Sequence, residues 1–140
     1  MPERTETDAY HALCAYSLGH RGAGFIHQHV VDAFAAQHAD HNGKPIGIAF
    51  ALVGLYLMIE KGFSGIEVQR AHIRLGRHKR VWPSFQLPTS RGSVTAVEVM
   101  AKPEGPERDR AIHVWCASVW SAYTENRDAV EALLREYGIV

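Results

Sequence analysis

The chain has 140 residues, 46% hydrophobic and 21% charged, the balance of one ordinary globular domain and not of a disordered segment. Fifteen basic residues offset fifteen acidic ones, which argues against broad binding to nucleic acid or anionic membrane. Two cysteines are too few for a disulfide scaffold and fit a reducing compartment, whereas nine histidines are unusually many.

The N-terminus, MPERTETDAY, is polar and acidic, without the charged-then-apolar pattern of a signal peptide. The most apolar run, Ile46 to Ile59, spans fourteen residues. A bilayer needs about twenty, so the run predicts a buried core helix in a soluble, cytoplasmic protein.

In chain order, the first predicted helix covers roughly Asp8 to Leu18, with Thr7 or Asp8 as N-cap and Gly19 beyond its end. The second runs from about Gly24 to Asp40 and stops in His41-Asn42-Gly43. The third follows Lys44, carries Pro45 in its first turn and ends at Lys61-Gly62. Ser64, with Glu67 three residues on, forms a capping box that opens a fourth helix reaching about His78. From Val81 to Glu107 prolines and glycines replace helical periodicity, predicting a long surface connection with room for a short helix capped by Ser93 or Thr95. A fifth helix from Glu107 to Tyr123 and a sixth from Arg127 to Tyr137 complete the chain. Strand signals are too few to pair. The expected fold is a single all-α domain over residues 1–140, a compact bundle around the apolar third helix.

Both cysteines occur in one short pattern, His11-Ala-Leu-Cys14 on the first helix and His113-Val-Trp-Cys116 on the fifth. Residues three apart share a helix face, so each pair presents an imidazole beside a thiol. The helical wheel puts both pairs on inward faces. If the helices face each other, the two-cysteine, two-histidine set suits tetrahedral zinc: structural if closed, catalytic if water takes one position. The same four residues also suit plain core packing, since cysteine is a small buried hydrophobe.

On the second helix, His27, Val31, Phe34, His38 and His41 repeat at helical spacing along the apolar stripe, with His29 about 160° away among Ala33, Ala36 and Asp40. His38 and His41 suit a helix C-terminus without further role. His27, mid-helix among apolar neighbours, needs a hydrogen-bond partner and is a candidate proton carrier, as is Glu60 at the end of the apolar third helix. Asp32 and Gln37 are natural partners for such groups. The fourth helix runs into a basic cluster, Arg70, Arg74, Arg77, Lys79 and Arg80, whose default reading is a solvated face. No phosphate loop, nucleophile elbow or His-Glu-x-x-His zinc helix is present.

The string Phe25-Ile-His-Gln-His-Val-Val-Asp-Ala-Phe34-Ala-Ala-Gln37, followed by Lys44-Pro45 and Gly54-Leu-Tyr-Leu, resembles a family of small bacterial proteins classed as a domain of unknown function. Val81-Trp82-Pro83, Leu87-Pro88 and Gly92 extend the likeness to nearly the whole chain, which looks like an actinobacterial-type member. The resemblance implies a compact helical domain of bacterial cytoplasm. It supplies no activity and no catalytic residues, and the cysteine-rich, zinc-ribbon-like N-terminal segment of some relatives has no counterpart here.

The residues therefore carry the functional expectation. It is a zinc-binding helical protein with His11, Cys14, His113 and Cys116 as ligands. An open site would perform metal-assisted hydrolysis, with His27 or Glu60 moving the proton. The alternative is a redox or interaction module in which Cys14 and Cys116 form a switchable pair. No nucleic-acid or membrane partner is expected, the small-molecule substrate is unspecified, and self-association is open.

Overall fold

A computed structural model describes residues 5–19, 24–78 and 81–140. Among them are seven α-helices and no strand: α1 (Glu6–Gly19), α2 (His27–Gln37), α3 (Pro45–Lys61), α4 (Gly65–His78), α5 (Ala96–Met100), α6 (Pro106–Ala122) and α7 (Arg127–Glu136), with a 3-10 turn at Thr124–Asn126. Lys79 and Arg80, the end of the basic cluster, lie outside the described residues.

The expected punctuation sets the helix ends. Pro45 starts α3, and Gly62 ends it in the left-handed region (φ 71°), letting the Phe63 N–H reach the Leu57 carbonyl at 2.9 Å. Ser64 and Glu67 close the reciprocal capping box of α4, at 3.0 and 3.2 Å. Thr95, and not Ser93, caps α5 through the Glu98 N–H. The Glu6 carboxylate on α1 accepts from the next two free amides, Ala96 and Val97, so the starts of the two helices are tied together.

α3 is the centre. Its residues Ala51 to Leu57 are essentially inaccessible, and α2, α4, α6 and α7 all pack on it. α1 lies outside this group, against α2 and α5. Before α5, residues 81–95 cross the surface without regular structure but are held by side chains. Asn126 pairs with both backbone polar groups of Gln86, Gln37 donates to the Val94 carbonyl, and Ser118 accepts from Ser93. Arg91 donates to the Pro88 and Ala39 carbonyls. Among the described residues no helix is long and apolar enough to cross a membrane.

Candidate functional site

The two His-x-x-Cys pairs do not turn inward together as expected. On α1 the core stripe is Ala9, Leu13 and Ser17, which leaves Cys14 half-buried at its edge and His11 exposed. On α6 the core stripe includes Ile112, Trp115, Cys116 and Val119; Cys116 is fully buried, and His113 is exposed at the border. Residues three apart subtend about 60° of helix, so one can be inside while the other reaches solvent. Both cysteines are free thiols. Burial pushes each thiol up, which disfavours the thiolate needed for metal ligation or exchange. The Cys116 thiol donates to the His29 carbonyl at 3.6 Å.

α2 is rotated relative to expectation. Its small-residue face, with His29, Asp32, Ala33 and Ala36, is the buried one. Small side chains let α3 approach closely, and that proximity outweighs the bulk of Val31 and Phe34, which are only half-buried at the edges. His27 is half-buried; its Nδ1 lies 2.9 Å from the Ser17 hydroxyl on α1, and burial lowers its basicity. The His38 ring lies tilted against Phe34, its Nε2 3.5 Å from the Glu6 carboxylate, while His41 is exposed.

Asp32 has one oxygen accepting from Gln28 at 3.1 Å and the other, Oδ2, buried with no partner among the described residues. That oxygen lies where a side chain at position 54 would begin: a Cβ on Gly54 would stand 1.8 Å from it. Burial pushes the Asp32 carboxyl well above its ordinary range, which favours its protonated form. The sequence carried a signal here, a glycine in the middle of an otherwise apolar helix, but not its partner.

His29 is 7% exposed, and its Nδ1 also has no partner among the described residues. Burial first, and the neighbouring His113 second, push it down to about 4, so the ring is neutral. His29, His113 and Asp109 line one recess of about 330 Å³ between α2, the end of α3 and α6, walled by Ile26, Met58 and Phe63. Phe25, between the lining residues Gly24 and Ile26 in sequence, holds the left-handed backbone that non-glycine residues rarely adopt (φ 50°). The Asp109 carboxylate accepts from the Tyr16 hydroxyl at 2.7 Å; that hydroxyl accepts from the Gly105 N–H at 3.1 Å, and the Arg108 guanidinium covers the Tyr16 ring at 4.7 Å. As placed, no group of three or more His, Cys, Asp or Glu side chains among the described residues is arranged to hold a metal ion.

Glu60 belongs elsewhere. It accepts from Trp120 at 2.8 Å and from Arg127 at 2.7 Å, and Arg127 continues to Glu131, which also takes Tyr56 and Arg135. Both its oxygens are engaged in joining α3, α6 and α7, which is a structural duty. His27 shares none of these partners.

The class defined by this architecture is a small all-helical bundle with a buried acid and a buried imidazole on one helix. The chain belongs to the family of unknown function DUF5946, whose profile matches residues 7–124. No curated protein and no solved structure matches it.

Proposed function

We propose that the chain binds a divalent metal ion, zinc by preference, through His29, His113 and Asp109, and uses it for metal-assisted hydrolysis. The observation that carries this reading is the neutral His29 ring, buried and with an unpartnered nitrogen, lining the same recess as His113 and Asp109. Asp109 and His113 are four apart on α6, the spacing that brings two side chains to one face about 6 Å apart. Two imidazoles and a carboxylate form the donor set of open zinc sites, with a position left for water. His29 is fixed by packing. The exposed His113 and half-buried Asp109 would hold the ion with it by turning toward the recess, and the Tyr16 hydroxyl holds the carboxylate. The apolar wall of Ile26, Met58 and Phe63 suits a substrate with a hydrocarbon portion.

Elemental analysis of protein purified without chelators and incubated with zinc tests the reading. About one bound ion per chain is expected, lost in His29→Ala and His113→Ala and retained in His11→Ala and Cys14→Ser. A ligand set of His11, Cys14, His113 and Cys116 requires Cys14→Ser to lose the metal instead. Wild-type metal content in both His29→Ala and His113→Ala overturns the proposal.

A further inference from the structure

α4 has two faces of different character. Val68, Ala71, His72 and Leu75 are buried against the bundle, whereas Arg70, Ile73, Arg74 and Arg77 line a shallow recess of about 430 Å³ on the outside. Ile73 is 51% exposed in the middle of the three arginines. The contrast with other arginines is plain. Arg127 and Arg135 pair with carboxylates, and Arg91 and Arg108 are spent on backbone carbonyls. No carboxylate among the described residues forms an ion pair with Arg70, Arg74 or Arg77. The carboxylate nearest in sequence, Glu67, is committed to the capping box and feels Arg70 only as the least of its influences. Arg74 reaches toward the turn at Gly138 after α7.

From this arrangement we infer that the outer face of α4 docks an acidic amphipathic helix of a partner protein. The arginines repeat at four and then three residues, which is the helical period itself. A partner helix with carboxylates at the same spacing meets all three in register, its apolar residue falling on Ile73. Arginine is the cation suited to this, because its planar fork binds carboxylate through two parallel hydrogen bonds. Competing anions fit less well. Nucleic-acid binding draws on roughly 6–10 phosphate contacts, and among the described residues this face offers three arginines and no aromatic ring on which a base could stack. Stable membrane attachment needs two signals, such as a lipid chain with a polybasic patch, and one half-exposed isoleucine is a poor substitute for the first.

Fluorescence anisotropy decides among them, with a labelled helical peptide bearing glutamates at i, i+4 and i+7 around a leucine. The comparison ligands are a scramble of the same composition, phosphatidylserine vesicles and a single-stranded oligonucleotide. The in-register peptide is expected to bind about tenfold tighter than its scramble, and Arg70→Glu with Arg77→Glu to weaken it by at least as much. Both variants should keep the wild-type circular dichroism spectrum; if the charge reversals unfold the helix, Arg70→Gln with Arg77→Gln gives the same comparison. Equal binding of the scramble, tighter binding of vesicles or oligonucleotide, or no effect of the substitutions overturns the inference. None of these outcomes depends on metal at the His29 recess.

Discussion

Asp32 and His29, one turn apart on α2, are both buried inside the bundle and answer pH in opposite senses. The His29 ring falls from an ordinary value near 6.5 to about 4 on folding, so its contribution is complete above pH 6.5 and is lost as pH falls toward 4. The full loss is roughly 3 kcal/mol. The Asp32 carboxyl is raised on folding, so its contribution is complete below its unfolded value and is lost as pH rises through the folded one. Chemical unfolding across pH 4–8 should therefore show His29→Gln gaining on wild type as the solution is acidified, and Asp32→Asn gaining as it is made alkaline. Parallel curves for wild type and either variant would mean that the group is solvated. Gly54 is tied to the same carboxylate. Gly54→Ala should lower stability by about 1–3 kcal/mol, because the new methyl overlaps Asp32 Oδ2 in a packed interior. In the Asp32→Ala background the same change should cost much less, and a thermal-melt double-mutant cycle measures the coupling.

Among the helices, those with a strong contrast between faces were legible in advance. α4 and α7 bury Val68, Leu75, Val130, Leu133 and Leu134, the residues any apolar periodicity picks out. α1 and α2 were not, and the reason is physical. Beside one large apolar residue each, Leu13 and Val30, their inner faces carry alanine, serine, aspartate and histidine, side chains whose burial is decided by how closely a neighbouring helix approaches and not by transfer free energy. The inward placement of His11 and the placement of His29 away from the apolar stripe both rested on hydropathy where closeness governed. Gln37 shows the same limit. It ends α2 as an ordinary polar residue, yet its amide oxygen accepts from the Trp115 ring N–H at 2.9 Å while its nitrogen serves the Val94 carbonyl at 2.7 Å. Gln37→Ala strands a buried indole N–H and releases the segment before α5. A loss of about 1–3 kcal/mol is expected, with faster amide hydrogen exchange confined to residues 91–97. Unchanged exchange there would show that the segment holds itself.

For the whole molecule, the all-α class and the central α3 followed from caps, breakers and the apolar run, because these are local statements that tertiary context seldom reverses. What pairs with what did not follow, since it depends on contacts between residues far apart in the chain. The irregular crossing at residues 81–95 has a temporal counterpart. Its ties to Gln37 span up to 57 residues of sequence and its tie to Asn126 spans 40. Such bonds can close only after α2, α6 and the turn before α7 already stand side by side, because the loop entropy is otherwise unreturned. The crossing is thus expected to be the last piece to arrive during folding and the first to leave during unfolding, an order that pulsed amide hydrogen exchange at residues 81–95 would read. The helices assemble, and this segment fastens the finished assembly.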